Sequence, residues 1–220
     1  MNPASLIDHT LLRPDASSEQ IAILCEEAVE HGFAAVCVPP VYVPLAVARL
    51  YGSQVRVATV AGFPLGYQLP AEKAFAAAQA AAQGAEEIDM VIHLGAALAG
   101  RLDEVEEEIR EVVRAADGTA IKVILECCYL PDALKKALVA RVVAAGAAYV
   151  KTSTGFGPGG ATEADVRLLS AAADSRIGVK AAGGIRDWSF CQRLLSGGAT
   201  RIGTSAGPRI VSQWRQAVGL

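Results

Sequence analysis

Eight short apolar runs rich in β-branched residues alternate with longer stretches of helical periodicity, and they predict an α/β chain folded as a single (β/α)8 TIM barrel over residues 1–220. Length supports closure, because 220 residues is the size of one compact barrel. The glycines support it as well. They cluster in loops after the late runs, at 155–160, 183–184 and 203–207, where barrels typically build a phosphate site. An open doubly wound sheet would instead favour one nucleotide-binding glycine loop after its first strand.

The strands are expected near 6–10, 34–38, 55–60, 87–92, 121–125, 148–152, 178–182 and 200–203. After the first, Ser17-Ser18-Glu19-Gln20 forms an N-cap run that opens a helix to about Glu30, and Gly32 closes it. After the third, Pro70 opens a helix over 71–83, ended by Gly84. Residues 102–116 place Leu102, Val105, Ile109, Val112 and Val113 on one face and charges on another, an amphipathic helix packed on a core. Pro131-Asp132 begins a helix toward Ala145, closed by Gly146, and Thr162-Glu163 begins another toward Ala173. No linker, low-complexity tract or sequence repeat beyond the βα unit interrupts the pattern.

Composition excludes several function classes. A formal net charge of -3 argues against a nucleic-acid binder, which would carry a basic face. No run approaches the ~20 apolar residues of a membrane span, and the N-terminus has neither the basic start nor the apolar stretch of a signal peptide. Cys25, Cys37, Cys127, Cys128 and Cys191 are odd in number and contain no CxxC pair, and His9, His31 and His93 are scattered. A disulfide framework or a metal site is therefore not expected, nor any cofactor, and a reducing cytoplasm is the expected location.

The informative residues are polar ones at the ends of apolar runs. Lys151 ends Ala148-Tyr149-Val150 and Lys180 ends Ile177-Gly178-Val179, so the two occupy equivalent places on consecutive strands. Asp8, Asp89 within Glu87-Ile88-Asp89-Met90-Val91, and Glu126 also fall at the catalytic end of the expected barrel. One such lysine can be explained as a strand-end side chain reaching water. Two beside an aspartate are harder to explain that way, because desolvating an ammonium costs several kcal/mol. A lysine held as ammonium by Asp89 would, by repulsion, favour the neutral amine on its neighbour, and a neutral amine attacks carbonyl carbon. The late glycine loops, with Thr154, Thr204 and Ser205 among them, offer backbone N–H groups to an anion, and Arg186 stands beside them. Together these features point to Schiff-base chemistry on a phosphorylated substrate.

With these residues assembled, the chain resembles the deoxyribose-phosphate aldolases from Leu6 to about Ser205. The resemblance rests on Leu6-Ile7-Asp8-His9-Thr10-Leu11-Leu12, Gly62-Phe63-Pro64-Leu65-Gly66 and Glu87-Ile88-Asp89-Met90-Val91. It rests further on Lys151-Thr152-Ser153-Thr154-Gly155-Phe156, Val179-Lys180-Ala181-Ala182-Gly183-Gly184-Ile185-Arg186 and Arg201-Ile202-Gly203-Thr204-Ser205. It implies reversible, metal-independent cleavage of 2-deoxyribose 5-phosphate to glyceraldehyde 3-phosphate and acetaldehyde. In that family's terms Lys151 is the Schiff-base lysine and Asp89 with Lys180 the proton relay. Asp8, Thr10 and Thr154 line the substrate hydroxyl region, and Gly155, Gly183, Gly184, Gly203, Thr204 and Ser205 hold the phosphate. The chain departs from many relatives at His93, where they carry asparagine, at Cys127, where they carry threonine, and at Phe156, where some carry lysine. Another sugar-phosphate Schiff-base aldolase, or an inactive phosphate-binding barrel, is the alternative. A homodimer or homotetramer acting on small sugar phosphates and aldehydes is expected, with neither a nucleic-acid nor a membrane partner.

Overall fold

The structure, a computed structural model, describes residues 2–219. Its strands are β1 (Ile7–Thr10), β2 (Ala35–Cys37), β3 (Arg56–Ala61), β4 (Glu87–Val91), β5 (Ala120–Ile124), β6 (Tyr149–Lys151), β7 (Gly178–Ala182) and β8 (Arg201–Thr204). Each pairs in parallel with the next, and β8 returns to β1, so the sheet closes in chain order. Helix α1 (Ser18–His31) follows β1, α2 (Val43–Leu50) follows β2 and α3 (Pro70–Ala82) follows β3. Then come α4 (Leu94–Leu98) and α5 (Leu102–Ala115) after β4, and α6 (Asp132–Ala144) after β5. The last three are α7 (Glu163–Ala173), α8 (Trp188–Ser196) and α9 (Gly207–Val218). The expected barrel is the observed one.

The helix ends follow their local chemistry. Ser17 accepts the N–H of Gln20 while the Gln20 side chain accepts that of Ser17, and Gly32, at φ 67°, closes the helix in the left-handed region. Helices α2, α4, α8 and α9 are additions to the sequence expectation. Helix α2 begins between Pro40 and Pro44 without a side-chain cap, and α9 has Pro208 in its first turn. Helix α8 is short but capped, with Asp187 accepting the N–H of Phe190 at 2.8 Å. Strands β2 and β6 are each one residue shorter at both ends than expected.

Alternation along the strands divides the buried residues into two cores. Outward-facing Ile7, Val36, Val57, Ile88, Val123, Val150 and Ile202 pack with helix residues such as Ile21, Ile109, Val142 and Leu169. The inward-facing set is split. On β2 and β3 it is apolar and small, with Ala35, Cys37, Ala58 and Val60 packed beneath Leu12 and Phe63. On β4 through β8 and β1 it is charged, with Asp8, Glu87, Asp89, Lys122, Lys151, Lys180 and Arg201 all buried.

Candidate active site

The charged half of the barrel is one connected network. Oδ2 of Asp89 lies 2.6 Å from Nζ of Lys151 and 2.6 Å from Nζ of Lys180. Lys180 also lies 2.6 Å from Oδ2 of Asp8, and Asp8 in turn is 2.6 Å from Nη1 of Arg201. Lys122 sits among the three carboxylates, 2.5 Å from Glu87, 3.2 Å from Asp8 and 3.2 Å from Asp89. Arg201 closes the lower side with two bonds to Glu87 at 3.0 and 3.1 Å. Register explains the meeting: Lys151 is level with Lys180 and Asp89 with Lys122, so their side chains enter the barrel at matched heights.

Four buried cations face three buried anions, and in a low-dielectric interior that imbalance favours a neutral form of one cation. Lys151 is the one. Burial lowers its proton affinity most, Asp89 opposes, and the charge of Lys180 lowers it further. Lys180 goes the other way: burial alone would lower its pKa, but Asp8 and Asp89 outweigh burial and hold it above the ordinary value. Asp89 is held well below the usual carboxylate range, because Lys122, Lys151 and Lys180 together overcome the opposing effect of burial. The site therefore contains an amine with a weakened hold on its proton, a firm carboxylate and a firm ammonium joined through one oxygen.

Only Lys151 of these three lines the open space above. A cavity of about 550 Å3 runs from its amine across Thr10, Leu12, Thr154 and Phe156 to the glycine loops, with Arg13 and Arg186 in its wall. Gly155, Gly183, Gly184, Gly203, Thr204 and Ser205 all line it, as the sequence expects of an anion cradle. Gly183 has φ 94°, and a Cβ there would fall 2.9 Å from Cα of Gly160. The loops after β6 and β7 thus touch backbone to backbone, which only glycine permits. A Cβ at Gly203 would come within 3.1 Å of Cε of Lys180, so this glycine leaves the relay lysine its room.

Two hydroxyls expected at the substrate are engaged within the protein. Thr154 Oγ1 donates to Glu126 and accepts from the N–H of Phe156 at 3.0 Å. Thr204 Oγ1 donates to the carbonyl of Ile185 at 2.6 Å and accepts from Ala206. Asp8 departs further from expectation. It does not line the cavity; it is fully buried beneath Lys180, two residues before the Thr10 that does reach the wall. Its place is therefore that of counter-ion to Lys180, Lys122 and Arg201.

Lys122, Glu87 and Arg201 were not expected at the site. Their signal is weak but present, since Lys122 interrupts Ala120-Ile121-Lys122-Val123-Ile124 and Glu87 shares the phase of Asp89. Glu126 is flagged by the sequence without a role. It adopts φ 55°, is buried, and accepts the Thr154 N–H at 3.1 Å, which pins the loop after β6. His93 lies outside this cavity, in a smaller one with Tyr67 and Glu108. All five cysteines are free. Among the described residues no group of three or more His, Cys, Asp or Glu is placed to hold a metal ion, and no helix is long and apolar enough to cross a membrane.

Comparison with known proteins agrees with this geometry. The model of the DeoC/LacD family aldolases matches residues 4–208. The deoxyribose-phosphate aldolase of Syntrophotalea carbinolica is 58% identical over 98% of this chain and 98% of its own length. That of Deinococcus radiodurans is 52% identical over the whole of both chains. Among solved structures, the deoxyribose phosphate aldolase of Aeropyrum pernix, described as tetrameric, superposes with a TM-score of 0.91 at 34% identity, covering 97% of this chain and 91% of that one. An eight-stranded barrel with a buried amine at the foot of a glycine-walled cavity, and relatives this similar along their full length, lead to one conclusion: the chain belongs to the DeoC/LacD family of aldolases.

Proposed function

We propose that this protein is a deoxyribose-phosphate aldolase that reversibly cleaves 2-deoxy-D-ribose 5-phosphate to D-glyceraldehyde 3-phosphate and acetaldehyde. The observation that carries the reading is the position of Lys151. Its amine shares Asp89 with Lys180 and faces a cavity whose far wall is three glycine loops.

The phosphate rests against Gly155, Gly183, Gly184 and the Gly203–Ser205 backbone, with Arg13 and Arg186 supplying positive charge at the mouth. Remote binding energy at the phosphate aligns C1 of the open-chain sugar with Lys151. The neutral amine attacks C1, and loss of water leaves an iminium ion. The proton of the C3 hydroxyl passes to the Asp89–Lys180 relay, and the C2–C3 bond breaks. Its electron pair flows into the iminium to give an enamine, and glyceraldehyde 3-phosphate departs. The relay returns a proton to C2, water adds to the iminium, and acetaldehyde leaves with Lys151 restored. The iminium supplies the electron sink that a Lewis-acid metal supplies in other aldolases. Asp8 and Asp89 hold Lys180 as its ammonium in the resting site, and Lys122 and Arg201 fix the Asp8 carboxylate beside it. The enzyme works in the cytoplasm as a homo-oligomer, a state that light scattering on the purified protein measures.

Borohydride trapping with 2-deoxyribose 5-phosphate, followed by peptide mass spectrometry, tests the proposal. An adduct on Lys151 is expected. An adduct on Lys180 would exchange the two lysines' roles, and substrate binding without any adduct would overturn the Schiff-base scheme.

A further inference from the structure

A second buried ion pair, outside the lysine network, has no part in the steps above. Lys73 on α3 and Glu108 on α5 are both buried, with Nζ 2.5 Å from Oε1. The same ammonium donates to the carbonyl oxygens of Gly66 at 2.6 Å and Val91 at 2.8 Å. Oε2 of Glu108 accepts the backbone N–H of His93 at 3.0 Å. All three ammonium protons are committed, two of them to backbone following β3 and ending β4. Stability alone does not require such a pair, since apolar residues of similar volume often serve as well. The lysine adds direction, with three donors aimed at three fixed acceptors.

The segment it grips is 62–66. A Cβ at Gly62 would come within 2.8 Å of Cε of Lys73, so the loop lies directly on the lysine stem. On the other side, a Cβ at Gly66 would fall 2.1 Å from the carbonyl oxygen of Ile92. The N–H of Gly66 donates to the carbonyl of Gly62 at 2.8 Å and closes the loop. Within it stands Phe63. Its ring centre is 6.0 Å from Nζ of Lys151, and the ring meets Phe156 edge-on at 5.4 Å. It also packs on the apolar side of the barrel interior, with Cys37 and Val60 in the same cluster.

We infer that the Lys73–Glu108 pair is a positioning device for the reaction, holding the loop that sets the Phe63 ring beside Lys151, where the ring excludes water from the amine and faces the iminium charge. The inference rests on Lys151 as nucleophile and adds how its surroundings are kept dry. Burial is the largest influence on the amine's proton affinity. The charged and titratable groups around it are Asp89 on β4, Lys122 behind Asp89 on β5, Lys180 on β7 and Cys37 on β2. The Cys37 thiol is pushed up to about 11, chiefly by burial, and is neutral near pH 7. None of the four shares a hydrogen bond or ion pair with Lys73 or Glu108. Neither Lys73 nor Glu108 is among the groups whose charge shifts Lys151, so the route from the pair to the amine runs through the Phe63 loop.

The test is the pH dependence of borohydride trapping of acetaldehyde on Lys151, with thermal melting as the check of fold. Wild type is compared with Phe63→Leu, Glu108→Gln and the double variant Lys73→Met/Glu108→Leu. The double variant leaves no buried charge unpaired and supplies the comparison should Glu108→Gln fail to fold. Admitting water should move the midpoint of the trapping profile up by about one pH unit in every variant, slow trapping near pH 7 about tenfold, and let higher pH restore the rate. The KM for the phosphorylated sugar should stay within about twofold, because none of the glycines expected to hold the phosphate is substituted. A lowered melting temperature with an unmoved midpoint would overturn the inference and leave the pair merely structural. So would a moved midpoint in Phe63→Leu but not in a folded Glu108→Gln or double variant. No adduct in the wild type at any pH would instead overturn the choice of Lys151 as nucleophile.

Discussion

Replacing Lys180 by methionine removes one charge and little volume, and the structure sets the size of the effect. Lys151 and Lys180 each lie 2.6 Å from the same oxygen of Asp89, so their nitrogens are at most about 5 Å apart. Two unit charges at that distance repel by roughly 3 kcal/mol at an effective dielectric constant of about 20. Removing that repulsion favours protonated Lys151 by about 100-fold. Asp89, no longer shared, then pairs with Lys151 alone and pushes the same way. In Lys180→Met, kcat/KM at pH 7 should therefore fall by at least about 100-fold. The sign of the pH effect follows: the amine now loses its proton only at higher pH, so the rising limb of the profile moves alkaline. Turnover from pH 6 to 10, with borohydride trapping in parallel, measures both quantities. A melting curve controls for Asp8, which keeps Lys122 and Arg201 as partners. A uniform loss of rate with an unmoved limb would refute the repulsion argument and leave Lys180 only as a proton donor. Near-normal activity would refute the relay altogether.

Three further outcomes are expected. Lys151→Arg keeps a cation opposite Asp89 but cannot form the imine, so turnover and trapping should both vanish while the fold survives by melting and circular dichroism. Gly183→Ala forces a Cβ to within 2.9 Å of Gly160 at φ 94°; strain of about 1–3 kcal/mol should raise KM for the phosphorylated sugar about tenfold or more and leave that for 2-deoxyribose itself little changed, as steady-state kinetics on both would report. Asp8 and Asp89 are held below their ordinary value of 3.8 by the surrounding cations, so the stability they add is intact above that pH and is lost as pH falls below it. Urea denaturation should show the network's contribution unchanged from about pH 7 to 5 and dropping by several kcal/mol below about pH 4.

Much of the fold was legible because periodicity is a local signal. Runs such as Ala34-Ala35-Val36-Cys37-Val38 and the cap Ser17–Gln20 announce strand and helix without tertiary knowledge. Of the helices that escaped, α2, α4 and α8 are short, with few turns in which a period can show, and α9 follows the last expected strand. At the site, Lys151, Lys180 and Asp89 stood out because charge in an apolar run is conspicuous. Lys122 is equally conspicuous, yet its meaning depends on closure. Only a closed barrel brings β5 to face β1, and only then does Lys122 meet Asp8. Asp8 failed for the same reason. One pleat of height separates lining a cavity from lying beneath it, and sequence does not give height. Arg201 is further still, since its partners Asp8 and Glu87 lie 193 and 114 residues away along the chain.

The division of the barrel interior bears on how this protein can change. On the charged side, every side chain but Lys151 is partner to two or three others, so a single substitution strands a buried charge and evolution must move several positions together. On the other side, Ala35, Cys37, Ala58 and Val60 hold nothing but van der Waals contact, and they sit near the ring beside the reacting amine. Volume there can be added or removed one residue at a time, at the modest cost of ordinary core repacking. New donor aldehydes should therefore be accommodated by β2 and β3, leaving the ionic side of the barrel as the inherited constant around which specificity drifts.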